Sequence, residues 1–472
     1  MKRIPAHIAL AVAIVSLWWL PNMFAKGMFM DGVYNALMAH NLVTGLTTLW
    51  TPETIYYTKP AYWDNPQLAT WFLSGWYKVL GDYYFVERLY SFSCGLVQLI
   101  LIGLMWKTVY SNQSAKRTYY TTPIIVFLIS PLTIWCYTNN MLENTMALFT
   151  TASIIVYLHY WQTQKHRVLY ALVGGGGIFL ACITKGPVGL FPLTAPILFA
   201  VIIEPDKLKQ SVVYATIQLI ALAIAFMVFL SFTEPAVFVS KYLQLQLLPV
   251  LQHKSVESDP HYRIGLDLVE AALPWLIVGT LCFVWGIKNK YKSSDRLTIA
   301  FFAIALSASA PIAFSAKQHK YYLLPSLVFY SMAFAIWLQP FIQIGIQKVS
   351  KHKVNKLGKG ITAFSLLILI VSIVWCVINS GNYARDRDIL TDLETIQPTI
   401  KNEEVIRADW TLFNAWSLRG YLNRLYGKKL CMPDENACTH YYMTLQNKGG
   451  DKLPSSAVRI YAGQTIDLYK LP

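Results

Sequence analysis

Eleven apolar stretches alternate with short polar loops over the first 379 residues. They run roughly over 5–24, 86–106, 119–138, 141–161, 168–183, 187–203, 211–231, 268–287, 297–315, 321–339 and 360–379. A helix needs about 20 apolar residues to cross the hydrocarbon core of a bilayer. The pattern therefore predicts an all-α polytopic membrane bundle of about 11 transmembrane helices. The first stretch follows Lys2 and Arg3 and lacks a small-residue cleavage site, so it reads as a retained helix.

Polar positions between and after the stretches divide the rest. Residues 25–85 form a long, aromatic and acidic first loop. Within it, 31–42 and 66–80 read as amphipathic helices lying on the membrane surface. Pro66 opens the second, with Trp71, Phe72, Gly75, Trp76 and Val79 on one side. Residues 380–472 form a polar tail with turn signals at Gly427-Lys428, Pro433-Asp434 and Gly449-Gly450. A helix over about 384–396 and alternating segments near Val458–Tyr461 and Thr465–Tyr469 predict a small α/β domain. The expected organisation is a transmembrane domain over 1–379 and a C-terminal domain over 380–472.

Charge fixes the orientation. The basic residues fall in every second loop: Lys2 and Arg3; Lys107, Lys116 and Arg117; Lys165 and Arg167; Lys207 and Lys209; Lys288 to Arg296; and Lys348 to Lys359. These loops hold 18 bases against three acids, Glu204, Asp206 and Asp295, so they carry the whole formal net charge of +15. Short loops rich in Lys and Arg stay in the cytoplasm. The loop at 25–85 and the tail then share the outer compartment, the periplasm of a bacterium. The charge reports topology and not a nucleic-acid surface. The composition agrees, at 55% hydrophobic and 14% charged. Cys94, Cys136, Cys182, Cys282 and Cys376 lie singly in apolar stretches and read as packing residues. Cys431 and Cys438 lie close together in the outer tail, where a local disulfide is expected.

Candidate chemistry gathers at the outer ends of the stretches. Asp31 follows the first stretch closely. It reads either as a general base for an acceptor hydroxyl or as the N-cap of the helix at 32–42. Asp64, before Asn65 and Pro66, reads as another cap or as a second carboxylate that binds sugar, acceptor or a divalent cation. Thr184-Lys185-Gly186-Pro187 breaks an apolar run, and Lys185 there either pairs a phosphate or carboxylate or simply snorkels. Gly174 to Gly177 do not form a phosphate loop, because no Gly-Lys-Ser/Thr follows; they suit close helix packing. Lys317, His319, Lys320, Tyr321 and Tyr322 mark the next outer break. Positive charge there runs against the overall bias and points to an anionic ligand or to lipid headgroups. The loop at 232–267 adds His253, Lys254, His261, Tyr262 and Arg263.

Taken in order, these features resemble the GT-C glycosyltransferases, and most closely the bacterial protein O-mannosyltransferase and lipid A aminoarabinose transferase group. The resemblance covers roughly residues 1–340. Asp31, in Met30-Asp31-Gly32, matches the first-loop catalytic Asp, with Gly32 where many members have a second acid. Asp64-Asn65-Pro66-Gln67-Leu68 matches a Glu, a basic residue and Pro-Pro-Leu; Asn65 therefore lacks the cation, and Lys59 is the nearby substitute. Glu87-Arg88-Leu89 resembles the Arg-Leu at the start of the second span. Thr184 to Leu190 matches well, as does Lys320 to Pro325, with Tyr322 as a phosphate-side hydroxyl. The resemblance implies a polyprenyl-phosphate sugar donor, a lipid, glycan or protein acceptor, and one inverting displacement with Asp31 as base. Lys185, Lys317, Lys320, Arg263 and Tyr322 would stabilise the leaving phosphate. Two other classes share the topology. A lipid or glycan transporter needs charge at mid-membrane, for which Glu143 and Glu270 are the nearest groups. A non-catalytic envelope assembly subunit would use 380–472 as a binding module.

Overall fold

A computed structural model describes residues 5–51, 63–252, 260–288, 295–348, 350–432, 440–446 and 456–472. The apolar stretches are helices because a segment in lipid must satisfy its own backbone hydrogen bonds. In chain order the helices are α1 (Ala6–Trp19), α2 (Met30–Val43), α3 (Leu68–Leu80), α4 (Val86–Val109), α5 (Ser114–Arg117), α6 (Thr121–Leu128), α7 (Pro131–Thr138), α8 (Leu142–Thr163), α9 (Arg167–Lys185) and α10 (Ala195–Ile203). There follow α11 (Leu208–Leu230), α12 (Thr233–Tyr242), α13 (Leu248–Leu251), α14 (Arg263–Lys288), α15 (Arg296–Ser309), α16 (Leu324–Lys348), α17 (Lys351–Asn379), α18 (Arg387–Ile396), α19 (Trp410–Phe413) and α20 (Trp416–Tyr426).

The chain is a multi-pass membrane protein. Each of the eleven apolar stretches falls on a helix, yet among the described residues only seven are long and apolar enough to cross a bilayer by themselves. The pair over Ser114–Leu128 and Pro131–Thr138, bent by 78°, makes an eighth. α1 has 14 residues, about 21 Å at 1.5 Å per residue, which is short of the roughly 30 Å core.

The molecule divides into two compact units. The first comprises Met1–Pro21, Trp63–Ala69 and Ser91–Cys376. Along it α4 and α8 run parallel, joined by polar contacts at three levels: Asn144 to Ser91 (2.7 Å), Gln98 to Thr151 (3.0 Å) and Ser111 to Gln162 (3.3 Å). The glycines of α9 serve packing. A Cβ at Gly175 would lie 2.8 Å from the Gln218 carbonyl of α11, and one at Gly177 3.3 Å from the Phe149 carbonyl of α8.

The second unit comprises Asn22–Tyr62, Thr70–Tyr90 and Val377–Pro472. It contains the expected C-terminal α/β fold. Five strands, β1 (Val405–Ala408), β2 (Lys429–Cys431), β3 (Tyr441–Leu445), β4 (Val458–Ala462) and β5 (Ile466–Lys470), form a sheet in the order β2-β1-β3-β5-β4. β1 pairs in parallel with β2 and β3; β5 pairs antiparallel with β3 and β4. Cys431 is disulfide-bonded, while Cys438 lies outside the described residues. The other described cysteines are free.

Most of the first loop, apart from Trp63–Ala69, is part of this unit. Met28 and Val33 share one apolar core with Leu390, Leu393, Leu418, Tyr421 and Leu468. Lys26 exchanges backbone hydrogen bonds with Asn382 (2.7 Å) and Ala384 (2.8 Å). Its ammonium pairs with Glu394 at 2.5 Å, and that carboxylate also accepts from the Tyr383 hydroxyl at 2.6 Å. Arg424 of α20, 4% exposed, reaches Asp82 at 2.9 Å, the Tyr77 hydroxyl at 3.1 Å and buried Glu87 at 3.4 Å. His40 pairs with the second oxygen of Asp82 at 2.8 Å. Burial pushes the Asp82 carboxyl up, but the His40 hydrogen bond and the Arg424 charge outweigh it and hold the group below its ordinary value.

The two helices expected on the membrane surface differ. α3 turns Phe72 (45% exposed) and Val79 (82%) outward and buries Leu73 and Tyr77, so its apolar side is open. α2 is enclosed instead: Gly32 to Ala39 are all buried, with Val33 and Tyr34 against Gly420 of α20.

Candidate active site

A cavity of about 120 Å³ in the first unit brings together residues from five separate segments. Asp64, Asn65, Glu143, Lys185, Lys317 and Tyr322 line it, with Met146, Val188, Tyr242, Gln246, Leu247 and Ser315. Its formal charges balance, two acids against two bases.

Lys185 enters from the end of α9. A cation suits a helix C-terminus, where carbonyl dipoles converge. Pro187 stops the helix, and Gly186 makes the turn with φ +89 and ψ −155, a region that only glycine enters readily. A Cβ at Gly186 would also collide with the Tyr242 hydroxyl. The Lys185 ammonium pairs with Glu143 at 2.9 Å and lies 4.9 Å from the Tyr322 ring centre. Glu143, in the first turn of α8, is fully buried.

Lys317 and Tyr322 come from the break between α15 and α16. Gln318, fully buried, pins that break: its oxygen accepts from the Ile264 N–H of α14 at 3.0 Å, and its amide donates to the carbonyls of Ala313 (3.1 Å) and Ser315 (3.4 Å). Residues 320–323 make one 3-10 turn. It stacks Tyr321 on Trp135 at 5.8 Å and 15°. Asp64 and Asn65 arrive beside Trp63, whose ring packs on Phe238 of α12 at 5.3 Å.

The expected residues therefore separate. Asp64, Asn65, Lys185, Lys317 and Tyr322 share the cavity. Lys320 does not line it: it is exposed, with its ammonium 5.6 Å from the Trp135 ring centre. Tyr321 is buried behind the wall, 5.6 Å from Lys185. Arg263 is exposed at the start of α14 and is not among the lining residues. Arg88 is buried in the second unit, where it donates to the Gly27 carbonyl. Lys59, His253 and Lys254 lie outside the described residues.

Asp31 also belongs to the second unit. It is partly exposed in the first turn of α2, whose N-cap is Phe29, so the capping role expected of Asp31 falls away. Asp64 is not a cap either, since α3 begins only at Leu68. Glu143, which the sequence offered only for the transporter alternative, is the charged lining residue missing from the expected site. Its signal was a carboxylate at the start of an apolar helix, at the same end as Lys185. Among the described residues no group of three or more His, Cys, Asp or Glu side chains is arranged to hold a metal ion.

Comparison with known proteins gives a class. The family model for dolichyl-phosphate-mannose-protein mannosyltransferase matches residues 64–231. Over 395 residues the chain is 23% identical to undecaprenyl phosphate-alpha-4-amino-4-deoxy-L-arabinose arabinosyl transferase 1 of Proteus mirabilis (strain HI4320), covering 73% of this chain and 69% of that one. In structure it is similar to ArnT from Cupriavidus metallidurans bound to undecaprenyl phosphate, with TM-score 0.69 and 12% identity over 98% of this chain and 97% of that one. It is also similar to the Archaeoglobus fulgidus oligosaccharyltransferase, with TM-score 0.54 and 12% identity over 91% of this chain and 63% of that one. The chain shares the fold of these proteins, and with the two sequence matches this makes it a membrane glycosyltransferase.

Proposed function

We propose that this protein transfers a sugar from a polyprenyl-phosphate donor to an acceptor hydroxyl, on a lipid, a glycan or a protein, at the periplasmic face of a bacterial inner membrane. One observation carries the reading. Lys185 and Lys317, 132 positions apart, line one cavity with Tyr322, at two breaks between apolar helices. Cations at a membrane boundary call for an anionic partner. Glu143 pairs with Lys185 at 2.9 Å, and Lys317 is the second cation that a phosphate in the cavity would meet.

In the proposed step Asp31 takes the proton of the acceptor hydroxyl. The oxygen attacks the anomeric carbon and inverts it. The bond from that carbon to the phosphate oxygen breaks, and its electron pair leaves with the polyprenyl phosphate. Lys185, Lys317 and Tyr322 then meet the growing charge, the term that usually dominates such catalysis. Asp64 and Asn65, at the cavity wall, suit sugar hydroxyls. The position of Asp31 in the first loop and its place in the family resemblance support its role as base.

The test is transfer by purified protein supplied with undecaprenyl-phosphate sugars, the product identified by mass spectrometry. Asp31→Asn is expected to abolish transfer while thermal unfolding stays that of the wild type. Near wild-type turnover by this variant would sink the base assignment. Unaltered envelope lipids and glycoconjugates in cells lacking the gene would sink the transfer reaction itself.

A further inference from the structure

A second cavity, of about 490 Å³, lies along α1, α4 and α6 in the first unit and is bounded by Leu369 of α17. Its walls are apolar, formed by residues such as Val12, Val15, Leu96, Ile100 and Ile124. The volume is that of a site for a small ligand or a chain. Among the described residues Lys107 is the only charged one in the lining. It is half-buried, with its ammonium 4.1 Å from the Tyr120 ring centre. Among the described residues no carboxylate pairs with Lys107, and Lys116 and Arg117 follow in the next loop.

The contacts between α4 and α8 say which end this is. Ser91 meets Asn144, beside the active-site Glu143, whereas Gln162 meets Ser111 and the Val109 carbonyl near Lys107. From Ser91 to Lys107 is 16 residues of one helix, about 24 Å along its axis. A phosphate held by Lys185 and Lys317 therefore cannot also rest on Lys107. A ligand resting on Lys107 is therefore a separate molecule, at the opposite end of α4.

We propose that this groove binds an anionic phospholipid, with its phosphate on Lys107 and one acyl chain along α1 and α4. The charge selects the headgroup, because a boundary cation without a carboxylate partner attracts an anionic one. The apolar walls select the chain. α17 otherwise exposes Phe364, Leu366 and Ile370, so a lipid between it and α1 would complete its packing. The proposal does not depend on the transfer reaction.

The experiment is native mass spectrometry of the delipidated full-length protein in detergent, titrated with phosphatidylglycerol and, separately, phosphatidylethanolamine. Wild type is expected to retain phosphatidylglycerol preferentially. Lys107→Ala should weaken that binding about fivefold, the worth of one lysine at a charged membrane surface. Ala11→Phe, which fills the groove and leaves the charge, should abolish it; Lys107→Ala stands as the test if that variant misfolds. Equal retention of the two lipids, or unchanged binding by Lys107→Ala, overturns the proposal. Displacement of bound phosphatidylglycerol by undecaprenyl phosphate would give the groove to the donor tail and overturn it equally.

Discussion

Removing Lys185 should damage the protein in two separable ways. Its partner Glu143 is fully buried 2.9 Å away, and the lysine itself is only 11% exposed. Deleting one partner of a buried pair leaves a charge uncompensated in the interior and costs about 3–5 kcal/mol. Lys185→Met should therefore unfold well below the wild type on heating in detergent. Loss of a cation that meets charge in the transition state costs a further 10²–10³-fold in turnover, on the order seen for oxyanion donors. Lys185→Met alone cannot tell the two effects apart. The double variant Lys185→Met/Glu143→Gln can. Neutralising both partners removes the buried charge, so stability should return to within about 1 kcal/mol of wild type, while turnover stays low. Thermal unfolding by near-ultraviolet circular dichroism reads the first effect, and transfer from a synthetic polyprenyl-phosphate sugar reads the second. Wild-type stability in Lys185→Met would refute the buried pair. Recovered turnover in the double variant would refute the phosphate contact.

Arg424→Ala should cost about 3–5 kcal/mol, because it strands buried Glu87, whereas Lys26→Ala, at a half-exposed pair, should cost about 1 kcal/mol or less; chemical denaturation compares them. Asp82 is held below its ordinary 3.8, so its contribution is present above that pH and is lost as pH falls further. The acid limb of a stability–pH profile should accordingly flatten in Asp82→Asn, and an unchanged limb would remove Asp82 from the network's account. Cysteine labelling from outside intact cells should reach a probe at residue 400 and not one at residue 355; the reverse would overturn the orientation read from the basic loops.

What the chain discloses follows the range of the forces involved. Helices were legible because each apolar run must satisfy its own backbone, a local demand. The Thr184-to-Pro187 break was legible for the same reason, since Gly186 and Pro187 end a helix wherever they stand. Glu143 was not, because its meaning depends on Lys185, 42 positions away, and a carboxylate in an apolar run looks alike in a transporter and in an active site. Asp31 misled in the opposite direction. An acid before a helical pattern resembles a cap, but the helix starts one residue earlier and the acid falls inside its first turn. The enclosure of α2 left no trace along the sequence, since the surface that covers it comes from α20.

That enclosure has a consequence in time. The Met28 N–H donates to the hydroxyl of Tyr421, 393 residues later. At about 5–20 residues per second of synthesis, the first loop waits some 20–80 s after emerging before its partner exists. During that interval Met28 and Val33 have no core to enter, and the loop stands as an unfinished surface. The last-made segment is therefore the one that completes the first-made loop. A chain stopped near residue 380 would keep most of its bundle sequence and lack the half of the second unit that closes over α2.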